Sequence, residues 1–151
     1  MAKLPMSNDL LTPESNHYQH DRYVFALASA GLGTWDLDPL NHVVAWDDLC
    51  KQFYGFSKDD VVGYDEVLRC IHAEDRERVD QAVTWALNPA SGGLYEISFR
   101  TIGAEDGLLR WLHCKGKAYF NENGEATDFP GPLRTFLPTG KPSRKYRPPK
   151  I

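Results

Sequence analysis

The stretch YEISFRTIGAEDGLLRWLHCKGKAYFNENGEATDFPG, Tyr95–Gly131, decides the fold of this chain. Tyr95, Ile97 and Phe99 alternate with polar residues, as expected of a strand with one buried face. GAEDG and NENG supply two turns, and an extended stretch follows each of them. The sequence therefore predicts three consecutive antiparallel strands, LYEISFRTI, LLRWLHCKGKAYF and ATDFPGPLRTFL.

The middle and last of these strands contain residues with more than one interpretation. His113 and Cys114 are adjacent, but neighbours on a strand point to opposite faces, so they are not expected to form a nucleophile–base pair. Cys114 shares a face with Leu112 and is predicted to pack in the core. Pro130 and Pro132 cannot donate to a ladder, so we expect the last strand at an edge or a bulge.

The upstream half predicts helices and one hairpin. TPES is a helix start, with Thr12 as cap and Pro13 at the first helical position, and this helix is expected to reach Ser29, where GLG stops it. TWDLD and VVAW, joined by PLNH, predict a hairpin. DDLCKQFYG, SKDDVVG and YDEVLRCI predict three short helical pieces. HAEDRERVDQAVTWALN has the apolar stripe of a longer helix.

This order of elements predicts an α+β fold. Two early strands and three late ones would form a five-stranded antiparallel sheet, with short helices on one face and a helix before it. We expect a flexible arm over 1–12, a flanking helix over 13–30 and the sheet domain over 31–137. The remaining residues, 138–151, are basic and rich in proline and are expected to be disordered.

Composition narrows the class of protein. A chain of 151 residues favours one domain, and a net charge of −4 gives no reason to expect nucleic acid as a partner. No apolar run approaches the roughly 20 residues that cross a bilayer, and the start lacks a secretory signal, so we expect a cytoplasmic protein. Cys50, Cys70 and Cys114 are too widely spaced for a zinc site or a disulfide framework. No metal site and no catalytic set is predicted.

Four stretches together resemble a PAS domain with its C-terminal PAC segment. They are ALASAGLGTWDLD (26–38), WDDLCKQFYGFSKDDVVG (46–63), IHAEDRERV (71–79) and the stretch 95–131. Their order and gaps are similar to those of the family. Two features depart from its pattern: Ala73 stands where the family usually has Pro, and GPLRTFLPTGKPSRKYRPPKI replaces the usual exit into a signalling helix.

The resemblance implies a sensory module of the kind common in bacterial sensor histidine kinases and diguanylate cyclases. Such a module is not itself an enzyme. It binds a small ligand or forms a homodimer, and it relays a signal to an effector domain that this chain does not contain. A ligand-free interaction adaptor is the alternative, and a small enzyme that uses the same cavity is the third.

A ligand pocket in such a domain is expected between the inner face of the sheet and the short helices. Strand alternation and helix stripes predict its wall, although a plain hydrophobic core would use the same residues. The predicted wall consists of Trp46, Leu49, Phe53, Val62, Leu68, Val79, Val83, Ile97, Phe99, Leu112 and Cys114. The first helix has an apolar side suited to pairing with its copy, formed by Tyr23, Ala26, Leu27 and Ala30.

The sequence does not identify a cofactor and leaves non-covalent flavin and haem open. Aromatic side chains such as Trp46 can stack on a flavin ring. The family's haem ligand usually comes from the long helix, which has no His here, so His42 and His72 are weak candidates. Neither Cys50 nor Cys70 stands in the Asn-Cys-Arg-Phe-Leu-like motif of covalent flavin photoreceptors.

Overall fold

The structure is a computed structural model that describes residues 13–56, 61–138 and 144–145. The helices are α1 (Pro13–Ser29), α2 (Asp48–Tyr54), α3 (Tyr64–Cys70) and α4 (Ala73–Ala86), followed by a 3₁₀ turn (Pro89–Ser91). The strands are β1 (Gly33–Asp38), β2 (Val43–Trp46), β3 (Val61–Gly63), β4 (Leu94–Ile102), β5 (Leu108–Lys117), β6 (Tyr119–Phe120), β7 (Ala126–Phe136) and β8 (Arg144–Lys145).

An antiparallel sheet forms the body of the fold. Its strands follow the order β3-β2-β1-β7-β5-β4, while β6 pairs with β7 and β8 pairs with β5. Helices α2, α3 and α4 pack against the buried face of this sheet. The predicted α+β class is therefore confirmed, but the prediction of five strands is wrong.

The additional strand β3 replaces part of a predicted helical turn. We predicted such a turn over SKDDVVG, but Val61–Gly63 pairs with Val43–Ala45 of β2. Val62 is buried while Val61 is exposed, which is the alternation of an edge strand with one face inward. Two adjacent β-branched residues favour this extended conformation over a helix. The rest of the predicted turn, 57–60, lies outside the described residues.

Strand β7 lies inside the sheet, although its two prolines indicated an edge or a bulge. Pro130 is opposite Asp36 and Pro132 is opposite Thr34 in the ladder with β1. Along a strand, successive backbone N–H groups point alternately to the strands on its two sides. In the register that β7 forms with β1, the nitrogens of Pro130 and Pro132 both point towards β5. The ladder between β5 and β7 ends at Leu133, before either proline, so neither missing N–H breaks a bond of that ladder.

The predicted strand from Leu108 to Phe120 is divided in two. The N–H of Ala118 donates to the carbonyl of Gly93 at 2.8 Å, and Ala118 is buried. Beyond this point β6 pairs with β7 with an irregular register. Two residues of the segment expected to be disordered, Arg144 and Lys145, form β8 beside Leu108–Leu109; residues 139–143 and 146–151 lie outside the described residues.

Caps fix where the helices over the cavity begin. Asp47 accepts a hydrogen bond from the N–H of Cys50 at 2.9 Å and starts α2, and Gly55, with a φ of 63°, ends it. The Nδ1 atom of His72 accepts from the N–H of Glu74 and starts α4. In the ranges that the structure describes, no helix is long and apolar enough to span a membrane.

Candidate functional site

A small cavity lies between the sheet and helices α2, α3 and α4. Its volume is about 50 Å³. Because one water occupies about 30 Å³ of liquid, the cavity in this conformation has room for one or two waters. Its wall is formed by Trp35, Leu37, Val44, Trp46, Tyr54, Tyr64, Val67, Ile71, Val79, Val83, Tyr95, Phe99, Cys114 and Phe129.

The predicted wall overlaps the observed wall in part. The predicted residues that line the cavity are Trp46, Val79, Val83, Phe99 and Cys114. Those that do not are Leu49, Phe53, Val62, Leu68, Ile97 and Leu112. Val62 and Leu112 are buried elsewhere in the core, and Phe53, Leu68 and Ile97 pack against it from partly buried positions. Leu49 is half-buried on α2.

The short helices account for three of the six predicted residues that do not line the cavity. On α2 the buried residues are Cys50 and Tyr54, one position after the predicted Leu49 and Phe53. On α3 the buried Val67 takes the place of Leu68. A helix of seven residues has only two turns, so apolar spacing does not decide which of two neighbouring apolar residues faces inward.

The sheet contributes wall residues that the prediction omitted. Trp35, Leu37, Val44, Tyr95 and Phe129 all lie on the inner face of a strand. The period of two was a usable signal for Val44 and Tyr95, because each stands an even number of positions from a predicted wall residue on its own strand. Trp35 and Leu37 alternate in the same way along β1, for which no wall residue was predicted.

Two groups of aromatic rings flank the cavity. The ring of Phe129 meets those of Trp35 and Tyr95 edge to face, with centroids 5.0 and 5.2 Å away. On the other side, the Tyr54 ring lies 5.1 Å from Trp46 and 6.4 Å from Phe99. Edge-to-face packing favours a fixed arrangement of rings, so the wall presents both ring faces and ring edges to the space between them.

The polar groups of the wall are few, and burial suppresses their ionisation. Burial raises the pKa of the Tyr54 hydroxyl, and the charges of Cys114 and Tyr95 raise it further. Burial likewise raises the pKa of the Cys114 thiol, which therefore stays protonated and is not an activated nucleophile. Tyr64 sits at the rim, where its hydroxyl donates to Asp80 at 2.9 Å.

The cavity in this conformation does not fit flavin or haem. Pockets for ligands of that size measure about 300–1,000 Å³, well above its volume. Neither candidate haem ligand reaches it: His42 lies in the exposed turn between β1 and β2, and His72 caps α4. Of the three cysteines only Cys114 lines the cavity.

An ion pair connects the cavity helix α4 to the sheet. The carboxylate of Asp75 accepts from the Nη2 atom of Arg100 at 2.7 Å, and its side chain is only 8% exposed. The guanidinium of Arg100 lies 5.5 Å from the centre of the Trp111 ring. That ring lies 5.9 Å from the ring of Phe136, the last residue of β7.

The side chain of His113 lies on the outer face of the sheet, opposite to the face that carries Cys114. The imidazole Nδ1 lies 2.8 Å from Ser98 Oγ, and Nε2 lies 2.8 Å from Glu96 Oε2. Cys114 is buried on the opposite face. Both ring nitrogens are thus engaged in contacts between β4 and β5, which stabilise this pair of strands.

A larger open groove of about 530 Å³ lies between α2 and the turn from β4 to β5. Its cations have local partners: Lys51 pairs with Asp48 at 3.1 Å, and Arg110 pairs with Asp106 at 2.6 Å. Both cations of the groove are therefore held by carboxylates of the same groove.

Helix α1 exposes apolar side chains. Of the four residues predicted to pair in a dimer, Tyr23, Ala26 and Ala30 are exposed and Leu27 is half-buried. Phe25, which the prediction omitted, is 75% exposed on the opposite side of the helix. Sequence spacing could not identify Phe25, because it lies outside the apolar stripe in which residues recur every three or four positions.

The fold and the cavity define a class of protein: an α+β domain whose antiparallel sheet and short helices enclose a small interior site. Residues 43–131 match the family model described as the PAS fold. The chain belongs to the PAS family, as its sequence motifs indicated.

Its relatives are signalling proteins. The chain is 29% identical over 119 residues to the sensor protein FixL of Bradyrhizobium diazoefficiens, covering 79% of this chain and 23% of that protein. It is 29% identical over 103 residues to the blue-light-activated histidine kinase of Brucella ovis, covering 68% and 20%. The chain thus spans less than a quarter of the length of these two relatives.

Solved structures show the same fold. A sensory box histidine kinase/response regulator from Burkholderia thailandensis matches with a TM-score of 0.63 and 24% identity, over 76% of this chain and 83% of that one. This structure supports the fold, while the family match and the two relatives support a PAS-type sensory signalling module.

Proposed function

We propose that this module senses occupancy of its cavity and passes the change to an effector through the outer face of the sheet. The observation that carries the proposal is the connection from α4 to Phe136. Val79 and Val83 line the cavity from α4, and Asp75 in the first turn of that helix holds Arg100. A movement of α4 would therefore displace the side chain of Arg100, which lies over the ring of Trp111.

The relay depends on a difference in affinity. A ligand shifts the module only if it binds one arrangement of α4 and β4 better than another. Because the cavity is small in this conformation, a ligand must displace part of its wall, and α4 supplies part of that wall. The resulting displacement reaches β7 at Phe136, the last residue of that strand.

The effector is a further part of the proposal. One relative named above is a sensor protein and the other is a histidine kinase, and this chain matches only a fraction of each. We propose that the module acts in the cytoplasm on a histidine kinase, a cyclase or another effector, as a homodimer that pairs through α1 and the sheet. The eleven predicted wall residues and the four predicted residues of α1 remain candidates for mutation within it.

A ligand-free interaction adaptor is the second candidate function. The small volume of the cavity favours it, and so does the exposure of Tyr23 and Phe25 on α1. In this case the conformation of the sheet would depend on dimerisation alone, and no ligand would be needed.

Nuclear magnetic resonance of the ¹⁵N-labelled chain tests the relay, with benzene as the probe. We expect millimolar benzene to shift the amides of Val83 and Phe99 and also the indole N–H of Trp111. In an Arg100→Lys variant the cavity amides should still shift, but the response of the Trp111 indole should be lost. Lysine lacks the planar guanidinium group with which Arg100 binds Asp75 and covers the ring of Trp111. Arg134→Lys, at an exposed position of β7, is the matched control.

Shifts that stay confined to the cavity in the unmodified chain would contradict the relay. No shift at all, together with a stable dimer by light scattering, would favour the adaptor.

A further inference from the structure

In the part of the chain that the structure describes, β4 is the last strand on one side of the sheet, and no strand lies beside its outer edge. In its antiparallel ladder with β5, alternate residues bond to the neighbour and the residues between them point away. The N–H of Ala118 donates to the carbonyl of Gly93 at 2.8 Å, and the N–H of Gly103 donates to that of Leu108 at 2.9 Å. These bonds show that the odd-numbered residues of β4 bond to β5. The even-numbered residues therefore point their N–H and C=O groups to the free edge.

The chain itself covers the second half of this edge. The carbonyl of Arg100 accepts from the N–H of His72 at 2.8 Å, and the N–H of Arg100 donates to the carboxylate of Asp75 at 2.9 Å. The carbonyl of Ser98 accepts from Nη2 of Arg78 at 2.9 Å. Backbone pairing on this edge thus already occurs within the fold, and it stops at Ser98.

The first half of the edge is open. Among the described residues, none bonds to the N–H groups of Leu94, Glu96 and Ser98 or to the carbonyls of Leu94 and Glu96. Leu94 is 71% exposed, and the side chain of Glu96 is 58% exposed, so a partner chain can reach this stretch. A row of unpaired donors and acceptors on an edge strand is the pattern to which an extended peptide adds as a further strand.

Helix α4 borders the open stretch with an exposed aromatic ring. Arg78, Ala82 and Trp85 recur at spacings of four and three and thus share one face of the helix. Because Arg78 reaches the carbonyl of Ser98, this face lies along the edge of β4. The first turn of α4 contacts the C-terminal part of β4, so Trp85, in the last turn, lies towards the open first half. Trp85 is 54% exposed, and every second side chain of an added strand would point to its side of the sheet.

Charge decides between a second copy of this chain and a different partner. Glu96 lies on the outer face, where His113 contacts it at 2.8 Å and Lys115 at 4.0 Å from β5. A second copy of β4, paired about a two-fold axis at the centre of the open stretch, would place Glu96 opposite its own copy, and like charges so placed are destabilising. A partner with a lysine or an arginine at this position gains an attractive pair instead. The net charge of −4 on the chain also favours a basic partner.

We infer that the open edge of β4 binds an extended segment of a partner protein as a further strand, with a cationic side chain beside Glu96 and an apolar one against Trp85. The segment alternates basic and apolar residues, because successive side chains of a strand point to opposite faces. Leu94, Glu96 and Ser98 supply the backbone groups that bind it. None of these residues lines the cavity, so this binding goes beyond the proposed function and does not depend on it.

Nuclear magnetic resonance of the ¹⁵N-labelled full chain tests the inference with a capped peptide of four Lys-Val repeats. We expect the amides of Leu94, Glu96 and Ser98 to shift. In the bound state they should exchange with solvent at least about tenfold more slowly, because each gains a hydrogen bond. The amides of Ile97 and Phe99, which bond to β5, should change little in exchange rate. A capped peptide of four Glu-Val repeats should bind at least about tenfold more weakly, because its charge has the wrong sign.

Ser98→Pro tests whether the edge pairs as a strand. The substitution removes one donor and places a ring on the edge, and proline is tolerated in an edge strand when its nitrogen faces solvent. We therefore expect the fold to persist and the affinity for the Lys-Val peptide to fall at least about tenfold. Ser98→Ala is the matched control: it loses the contact of 2.8 Å with His113 but keeps the N–H, and it should bind like the unmodified chain. A Lys-Val peptide with methylated backbone nitrogens makes the same test without a change in the protein, and it should not bind.

Two further variants test the selectivity of the edge. Glu96→Lys should reverse the preference, so that the Glu-Val peptide binds more tightly than the Lys-Val peptide. Glu122→Lys makes the same change of charge in an exposed turn and should leave the preference unchanged. Trp85→Ala should weaken binding of the Lys-Val peptide about threefold or more, as loss of an aromatic anchor does. Thr84→Ala, at an exposed position of the same helix, is its control.

Four results would overturn the inference. If no edge amide responds to millimolar Lys-Val peptide, the edge is not a binding surface. Equal binding by Ser98→Pro and Ser98→Ala excludes strand pairing, and equal affinity for the two peptides excludes a basic partner. If the same amides become protected without peptide as the protein concentration rises, the edge pairs with a second copy. All four leave the proposed relay to its own test at Trp111.

Discussion

The carboxylate of Asp75 accepts three hydrogen bonds from Arg100. The backbone N–H of Arg100 donates at 2.9 Å, Nε at 3.0 Å and Nη2 at 2.7 Å. The pair joins the first turn of α4 to the C-terminal part of β4 across 25 positions of the chain. It is therefore both a structural contact and the link on which the proposed relay depends.

Asp75→Asn should destabilise the fold by about 2–4 kcal/mol, because the substitution leaves a partly buried guanidinium without its counter-charge. Urea unfolding at neutral pH measures this loss. Glu74→Gln is the control: Glu74 also contacts Arg100, at 3.3 Å, but its side chain is 73% exposed, so we expect about 0.5 kcal/mol or less. Equal effects of the two substitutions would contradict the special role of Asp75.

The same pair should make the fold sensitive to acid. Burial alone would raise the pKa of Asp75, but the hydrogen bonds and charge of Arg100 outweigh it and hold the pKa below 3.8. A lowered pKa in the folded state stabilises the protein above the unfolded pKa, and this contribution is lost as pH falls through the folded value. The free energy of unfolding should thus fall more steeply below about pH 4 in the unmodified chain than in Asp75→Asn.

The contribution of Asp36 to the free energy of unfolding should depend on pH in the opposite sense to that of Asp75. Burial, a hydrogen bond with Asp128 and repulsion from that carboxylate raise the pKa of Asp36 from 3.8 to about 7. A group with a raised pKa stabilises the fold below its unfolded pKa, and that stability is lost as pH rises from about 4 to about 7.

We expect Asp36→Asn to flatten this slope and to raise stability above pH 7. The gain should be about 1 kcal/mol, because the neighbours shield Asp36 only in part and solvent screens the repulsion on this exposed side chain. Unfolding midpoints from pH 4 to 8 measure it, with Glu122→Gln in the exposed turn as control. An unchanged slope in Asp36→Asn would exclude a shared proton between Asp36 and Asp128.

The sequence predicted the elements of the fold better than their contacts. The turns and alternation of Tyr95–Gly131 were sufficient for three late strands, because those signals are local. The interior position of β7 was not predicted, because the effect of Pro130 and Pro132 depends on where the β5 ladder ends. Likewise, the apolar stripe of HAEDRERVDQAVTWALN predicted the long helix, but nothing in that stretch pointed to Arg100 as the partner of Asp75.

The candidate site was predicted less completely for a related reason. Val79 and Val83 lie on a helix of 14 residues, which is long enough for its apolar face to be recognised. On α2 the inward position of Tyr54 is set by the Asp47 cap and by packing on Trp46, both of which depend on the folded arrangement.

Gly131 should tolerate no side chain. A Cβ at this position would overlap the carbonyl oxygen of Lys115 and lie 2.7 Å from the Cα of Gly116, so β5 and β7 would have to separate. We expect Gly131→Ala to destabilise the fold by about 3 kcal/mol or more, as severe overpacking does. Gly63→Ala is the control, because its Cβ would meet only Glu66 Oε1, at 3.6 Å. Similar unfolding midpoints for the two variants would contradict the close approach of the strands.

The last prediction concerns dimerisation through α1. Tyr23 is 58% exposed on the side of the helix that also carries Ala26 and Ala30. If this side pairs with its copy, Tyr23→Asp buries two carboxylates in the interface, and the dimer dissociation constant should rise at least about tenfold, as for a central interface residue. Light scattering over a dilution series measures the constant. Tyr119→Asp makes the same change at a tyrosine 49% exposed on β6 and should leave it unchanged. A dimer that resists Tyr23→Asp must use another surface, and a chain that is monomeric at high concentration would remove the dimer from the proposed function altogether.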